Sequence, residues 1–224
     1  MKLSIFNGSP RGKASNSSVI NKWLTEASKD SEHTIEIKEE LIIKDVKKHL
    51  SYIEEIEASQ KVIMTFPLYA DGMPGVVMEF FELMYAHRDR LKNTQYLFVI
   101  HSGFPEAKHS YALRDYLKAF THKMDGQLFD IIIYGGSEGT RLAPERSQKK
   151  KRTAFHDICL AFATNQPIAQ KDRKRLSKPE ELSVSTQIIL KLLSKTPLLN
   201  MYWDRSMKDN NVFGQSFDQP YLNK

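Results

Sequence analysis

The chain has 224 residues, of which 41% are hydrophobic, enough for one substantial core with some sequence left for an appendage. Its 33 Lys and Arg against 27 Asp and Glu give a net charge of +6, which is compatible with anionic ligands but does not indicate a nucleic-acid partner. The single cysteine excludes a disulfide framework and a cysteine-ligated metal or iron–sulfur centre. No signal-peptide pattern and no membrane-spanning apolar run is present, so we expect a soluble cytoplasmic protein.

The first predicted unit is a strand, a polar loop and a helix. Residues 3–6 form a short apolar run typical of a strand, and residues 19–27 carry an apolar helical face. Between them, residues 15–17 read Ser-Asn-Ser and are favourable helix N-cap residues. Hydroxyls, the free amides of a helix start and Arg11 suit an anion, so the loop predicts a phosphate site. An ordinary capped turn with a surface arginine is the alternative at this point.

The loop does not match better-known phosphate motifs. Gly8 and Gly12 are separated by three residues and Lys13 precedes Ala14, whereas a P-loop needs four residues between its glycines and Ser or Thr after the lysine. The dinucleotide pattern G-x-G-x-x-G is also absent. A cysteine phosphatase is excluded because the only cysteine, Cys159, falls in a later predicted helix.

Four further strands alternate with helices along the chain. In residues 33–37, polar and apolar side chains alternate, which predicts a half-exposed edge strand; residues 41–43 either extend this strand or form a turn. Nearly continuous apolar runs at 61–66, 96–100 and 129–134 are typical of buried parallel strands. Helical spacing predicts helices over residues 46–56, 76–86, 113–120 and 144–164. Five β-α repeats predict a doubly wound α/β fold with a five-stranded parallel sheet in the flavodoxin-like order 2-1-3-4-5.

The chain changes character after Pro167. A charge run at residues 171–175 precedes a predicted helix from about Pro179, and the end of the chain from Asn211 to Tyr221 reads as extended. We therefore predict a flavodoxin-like domain at residues 1–165 and a C-terminal extension at 166–224 that packs on the core or on a second subunit. A basic run beside an amphipathic helix also fits a membrane-surface contact, although solvated charge runs are commoner.

Three loops meet where the predicted strand order reverses, between the first and third strands. Residues 7–17 form the phosphate loop, residues 66–74 mix apolar groups with exposed backbone, and residues 102–106 supply Gly103 for close backbone approach and Phe104 for stacking. A phosphate cradle beside an aromatic slot predicts a phosphorylated heteroaromatic ligand. The alternative is that the later two loops simply end their strands.

These motifs resemble those of the NAD(P)H-dependent FMN reductases of the flavodoxin-like superfamily. The resemblance covers about residues 1–164 and rests on Gly8-Ser9-Pro10-Arg11 followed by Ser15-Asn16-Ser17, on Pro67-Leu68-Tyr69 with Met73-Pro74, and on Ser102-Gly103-Phe104-Pro105-Glu106. It implies non-covalent FMN, NADPH or NADH as co-substrate, and a homodimer or homotetramer in which a neighbour borders the flavin. It also implies that the FMN phosphate is bound by Ser9, Arg11, Ser15, Asn16 and Ser17, and that the isoalloxazine ring is bordered by Pro67, Leu68, Tyr69 and Ala70 on one edge and by Ser102, Gly103 and Phe104 on the other.

The reaction implied by the resemblance is ping-pong transfer of a hydride from the nucleotide through FMN to a small acceptor such as a quinone or a flavin. The flavin carries the chemistry, so no acid or base is indispensable; Tyr69 and His101 are candidates for protonating a quinone, with packing as the alternative role. No histidine spacing indicates a metal site. Family members often carry Lys near the position that Glu79 occupies here, so this chain departs from the family pattern at that position.

Two other functions stay open. One is a flavodoxin-like electron carrier or flavin-binding protein without reductase activity, which the net positive charge disfavours because such carriers usually present acidic surfaces. The other is an enzyme on this fold that uses a different phosphorylated ligand.

Overall fold

A five-stranded parallel sheet organises the first of two compact units, Met1–Glu181 and Leu182–Lys224. The computed structural model describes residues 2–30, 35–42, 46–194, 196 and 200–218. The strands are β1 (Lys2–Asn7), β2 (Glu36–Leu41), β3 (Lys61–Pro67), β4 (Gln95–His101) and β5 (Gln127–Tyr134). The helices are α1 (Asn16–Thr25), α2 (Ala27–Asp30), α3 (Val46–Ser59), α4 (Gly75–Ala86), α5 (Tyr111–Lys123), α6 (Glu145–Thr164), α7 (Gln170–Ser177), α8 (Val184–Leu193) and α9 (Met201–Asp209).

The strand order is β2-β1-β3-β4-β5, which confirms the predicted flavodoxin-like sheet. In the two central strands β3 and β4, every residue after the first is buried, because helices cover both faces of the sheet. The edge strand β2 has no fully buried residue. The continuous apolar runs and the mixed edge pattern in the sequence are therefore consequences of strand position.

Alternation along the strands divides the core into two layers. Phe6, Met64 and Phe98 pack on one face of the sheet with α3, α4 and α5. Ile5, Ile63 and Val99 point to the other face and pack with α1 and α6. Each strand thus holds helices on both sides, and the loops after the strands are brought together at one edge of the sheet.

The charge run at residues 171–175 is a helix, not an irregular solvated segment. It forms α7, in which Asp172 and Leu176 are buried while the basic side chains face outward. Leu176 joins the core layer beneath α6. Burial raises the pKa of Asp172, and its carboxylate lies 3.5 Å from the Arg175 guanidinium. This amphipathic helix is hard to predict from the sequence, because the inward position between Ile168 and Leu176 is occupied by a charged residue, Asp172.

Two other boundaries differ from the prediction. The second strand lies at Glu36–Leu41, later than the predicted 33–37, and residues 31–34 and 43–45 lie outside the described part of the chain. The helix expected from Pro179 begins at Val184, where the Ser183 side chain accepts a hydrogen bond from the Thr186 N–H. The stretch expected to be extended contains a 3-10 turn at Phe213–Gln215, and residues 219–224 are not described.

The second unit contains α8 and α9. Within 182–194, 196, 200–201, 203–205 and 207–218, none of its residues is buried, and apolar side chains such as Ile188 and Trp203 are exposed. Among the described residues, no helix combines the length and apolar character needed to cross a bilayer. That residues 1–165 form the FMN-binding domain and residues 166–224 an extension stays a prediction.

The side chain of Lys61 caps the C-terminal end of α6. Its ammonium group donates hydrogen bonds to the carbonyl oxygens of Phe162 (2.7 Å) and Ala163 (3.0 Å) and to Oδ1 of Asn165 (2.8 Å). A cation at a helix C-terminus pairs with carbonyl groups that have no partner inside the helix.

We predict that Lys61→Met lowers the free energy of unfolding by about 1–3 kcal/mol, because charge-assisted bonds are lost while the aliphatic stem is retained. Lys118→Met is the control: it removes only an exposed pair with Asp115 and is expected to cost about 0.5 kcal/mol or less. Urea unfolding measures both, and equal losses would contradict the capping role.

Candidate functional site

A cleft of about 100 Å³ opens at the carboxyl ends of β1, β3, β4 and β5. Nine of the twelve predicted cofactor-binding residues line it: Ser9, Arg11, Ser15, Asn16, Pro67, Leu68, Tyr69, Ser102 and Gly103. His101 lines it as well, and so do Ser137 and Glu138 from the loop after β5, which no pattern in the sequence predicts. The predicted meeting of three loops is therefore found, with a fourth loop added.

A buried asparagine, Asn7, holds the first loop in shape. Its Oδ1 accepts the Ser9 N–H (2.9 Å), and its Nδ2 donates to the Ser18 hydroxyl (2.8 Å). Ser15 caps α1 by accepting the Ser18 N–H (3.1 Å), and its own hydroxyl donates to the Gly12 carbonyl (2.5 Å). The Ser15 hydroxyl is thus committed to the loop itself.

The donors left for an anion lie on one side of the cleft. The first-turn N–H groups of α1 have no acceptor inside the helix, and they carry the positive end of the helix dipole. Arg11 is exposed at the cleft, and no carboxylate among the described residues lies within ion-pair distance of it. The Ser9 hydroxyl lines the same cleft and accepts the Arg11 N–H (3.3 Å). This donor set suits a phosphate.

Asn16 connects this anion side to the fourth loop. Its Nδ2 donates to the Glu138 carbonyl oxygen (3.3 Å), and its Oδ1 accepts the Arg141 N–H (3.0 Å). Its side chain is therefore occupied in positioning the loop after β5. No pattern in the sequence identifies that loop as a partner, since it contributes mainly backbone groups.

His101 connects three of the loops through a chain of hydrogen bonds. Its Nε2 lies 2.7 Å from the Ser17 hydroxyl, and its Nδ1 lies 3.1 Å from the Ser137 hydroxyl. Ser137 donates its only hydroxyl proton to the carbonyl oxygen of Ser102 (2.9 Å). Nδ1 must then be the donor to Ser137, and Nε2 accepts from Ser17. The ring is the Nδ1–H tautomer.

Burial lowers the pKa of His101 to about 3, so the imidazole is neutral at physiological pH. With both nitrogens engaged, His101 carries no proton that it could give to a quinone. The candidate catalytic role is therefore not favoured, and the ring instead positions the loops. The Ser17 hydroxyl is buried in the same chain, which leaves only its backbone N–H for a ligand.

The second loop ends in a tight turn. Tyr69 and Gly72 exchange backbone hydrogen bonds of 2.8 and 2.9 Å, and the two residues between them, Ala70 and Asp71, have φ angles of 44° and 62°. Left-handed conformations at two non-glycine residues store strain of about 1–3 kcal/mol each. Tyr69 is 45% exposed at the cleft, whereas Ala70 does not line it.

Phe104 does not line the cleft either. Its ring is 59% exposed and its centroid lies 4.7 Å from that of His109. Among the described side chains, no group of three or more His, Cys, Asp or Glu residues is placed to hold a metal ion.

Residues 1–156 match the Flavodoxin_2 family model, which describes a flavodoxin-like fold. The chain belongs to this family. No curated protein matches it.

Solved structures share the fold at low identity. An NADH:FMN oxidoreductase in its apo form is 14% identical with a TM-score of 0.57, over 80% of this chain and 96% of the other. An oxidoreductase from Corynebacterium diphtheriae is 15% identical with a TM-score of 0.54, over 73% and 96%. An NADPH-quinone reductase from P. pentosaceus is 15% identical with a TM-score of 0.51, over 71% and 98%. At this identity the likeness shows the fold alone.

Gly135 lets the loops after β4 and β5 touch, because a Cβ there would lie 2.3 Å from the Pro105 carbonyl oxygen. We predict that Gly135→Ala lowers the free energy of unfolding by about 1–3 kcal/mol. Gly139→Ala, in the same loop with nothing within 4 Å of its Cβ, is expected to change it by less than about 0.5 kcal/mol. Urea unfolding that gives equal values for the two variants would contradict this contact.

We also predict that buried His101 makes stability depend on pH. Its folded pKa is depressed, so the stabilisation is complete above the unfolded pKa of about 6.5 and is lost as the pH falls towards 3. Between pH 7 and pH 5 the loss is about 2 kcal/mol.

Urea unfolding of His101→Gln at the two pH values tests this prediction. The variant should lose about 2 kcal/mol less than the wild type over this interval, whatever its stability at pH 7. His122→Gln, an exposed position on α5, is the control and should keep the wild-type profile. An unchanged pH dependence in His101→Gln would refute the assignment.

Proposed function

We propose that this protein is an FMN-dependent NAD(P)H oxidoreductase that reduces a small acceptor such as a quinone or a flavin. The observation that carries the proposal is the cleft itself. The cleft lies where the strand order of the sheet reverses, which is where such folds bind ligands. There, a set of anion-binding groups meets two loops that present apolar side chains and backbone. The names of the fold neighbours, NADH:FMN oxidoreductase and NADPH-quinone reductase, support the same activity.

The residues present fit the phosphate end of FMN. Arg11, the Ser9 hydroxyl and the first-turn amides of α1, including that of Ser17, would hold the phosphate. Ser15 and Asn16 would act indirectly, because their side chains fix the loop and its neighbour. Gly8 lets the loop lie close to α4 and β3, since a Cβ there would lie 2.5 Å from Cγ2 of Val77 and 3.0 Å from Cβ of Phe66.

The ring end would be bordered by Pro67, Leu68 and Tyr69 on one edge and by Ser102 and Gly103 on the other. At about 100 Å³, the cleft is smaller than the several hundred Å³ typical of a complete small-molecule site. A second copy of the chain would supply the missing surface, so a homodimer or homotetramer is part of the proposal.

Bound FMN would supply the redox chemistry of hydride transfer from NADH or NADPH to the acceptor, and the proposal includes ping-pong kinetics. The chain's own residues bind and orient the cofactor. Because the His101 ring is neutral and fully hydrogen-bonded, Tyr69 is the remaining candidate for handing a proton to a reduced quinone. Its side chain is exposed at the cleft mouth.

The phosphate assignment predicts that Arg11→Ala weakens FMN binding by about 10- to 100-fold, because a charge-assisted contact is lost. Titrating apoprotein with FMN by fluorescence quenching measures this. Lys13→Ala is the matched control, since Lys13 is an exposed cation of the same loop that does not line the cleft. Equal affinity in the wild type and Arg11→Ala would contradict the assignment.

Anaerobic stopped-flow mixing of the FMN-loaded protein with NADH and with NADPH tests the reductase activity. We expect bleaching of the oxidised flavin by at least one nucleotide. Bound flavin that neither nucleotide reduces would instead favour an electron carrier. A chain that binds no FMN would remove both functions.

A further inference from the structure

A second cavity, of about 650 Å³, lies beside the outer edge of β5 and is named here the β5 cavity. Ile131–Ile133 form one side, and Tyr111 and Arg114 of α5 form another. The end of α7 and residues 178–181 complete it. This last segment is held in place by hydrogen bonds from the Ala107 N–H to the Pro179 carbonyl oxygen (3.1 Å) and from the Lys108 N–H to that of Glu180 (3.3 Å).

The volume of the β5 cavity is in the range of small-molecule sites. Arg114, Arg173, Lys174 and Lys178 line it together with Glu180 and Glu181. Most of these charges already have partners: Arg173 pairs with Asp130, Arg114 with Asp115 (3.0 Å), Glu181 with Lys108 (3.6 Å), and Glu180 accepts a hydrogen bond from the Tyr111 hydroxyl.

Lys174 and Lys178 are different. Within the described part of the chain, no carboxylate lies within ion-pair distance of either ammonium group. Lys174 lies in the last turn of α7, Lys178 is the residue that follows the helix, and both line the β5 cavity. Two cations without a carboxylate partner therefore border one cavity, and an anion bound there would offset their charge.

The positive charge of the first unit is concentrated in its last part. Residues 145–181, which supply α6 and α7, contain 10 Lys and Arg against 5 Asp and Glu, a net charge of +5, whereas residues 1–144 contain 18 against 19, a net charge of −1. The positive excess therefore belongs to the part of the sequence that supplies α7. Such a field raises the local concentration of anionic ligands.

The β5 cavity and the cleft are neighbours. Gly103 lines the cleft and Ala107 lines the β5 cavity, so the two are separated by one loop and by at most about 14 Å of extended chain. At about 100 Å³, the cleft formed by one chain is already smaller than a complete site for one small molecule. A dinucleotide whose nicotinamide reacts at the ring end must place its other half outside the cleft.

We propose that the β5 cavity binds the 2′-phosphorylated adenosine half of NADPH, with Lys174 and Lys178 contacting the 2′-phosphate. The guanidinium of Arg114 lies 4.0 Å from the centroid of the Tyr111 ring and gives the cavity a flat, cationic surface of the kind on which bases stack. This assignment rests on the proposed oxidoreductase function and makes NADPH the preferred co-substrate.

The test variant is Lys174→Gln/Lys178→Gln. Its control is Lys149→Gln/Lys150→Gln, which removes the same charge from exposed positions of the neighbouring α6 that do not line the cavity. Steady-state rates give kcat/KM for NADPH and NADH. We expect the wild type to prefer NADPH and the test variant to lose this preference by about tenfold or more, because two charge-assisted contacts are removed. The control variant should keep the wild-type ratio.

An unchanged ratio in the test variant, an equal loss in the control, or a wild type that prefers NADH would overturn the proposal. Calorimetric titration with adenosine 2′,5′-bisphosphate tests the cavity without any turnover. Binding to the wild type and to the control, with about tenfold or weaker binding by the test variant, supports the site even if neither nucleotide reduces the flavin. Equal binding of inorganic phosphate, or equal binding of adenosine 5′-diphosphate, would refute recognition of the 2′-phosphate.

Discussion

The geometry of the cleft depends on one buried imidazole. His101 ends a central strand, yet its two nitrogens reach the start of α1 on one side and the loop after β5 on the other. Because the ring is neutral and its tautomer is fixed by Ser137, each bond has a defined direction. The start of α1 and the loops after β4 and β5 are thereby joined inside the protein. A buried polar network of this kind is costly if any member loses its partner, and it rigidifies the site when all are satisfied.

The sheet could be predicted from the sequence because its signals are redundant. Continuous apolar runs identify β3, β4 and β5, and the repeated strand–helix alternation leaves few topologies. The cleft followed from the same argument, since parallel strands deliver their loops to one edge. The helix α7 could not be predicted in this way, because a buried Asp172 breaks its apolar spacing. Propensity and pattern are weak where a single inward position is polar.

The roles within the cleft were harder to assign. Ser15, Asn16 and Ser17 look alike in the sequence as hydroxyl and amide donors, but their side chains hold Gly12, the loop after β5 and His101 respectively. Such partners are distant in the sequence and leave no local pattern. Ser137 and Glu138 line the cleft without a pattern in the sequence for the same reason. The aromatic ring of Phe104 predicts stacking on a ligand, whereas its exposed side chain contacts His109.

The hydrogen bonds of the Lys61 ammonium group have a consequence for how the chain folds during synthesis. Its acceptors lie more than 100 positions later, at the end of α6. During synthesis at about 5–20 residues per second, the first residue of this central strand therefore waits about 5–20 s for its partners to leave the ribosome. Until α6 is made, the apolar side chains that it covers, such as Tyr134 against Phe155, are open to chaperones. A chain cut before α6 would leave this part of the core exposed.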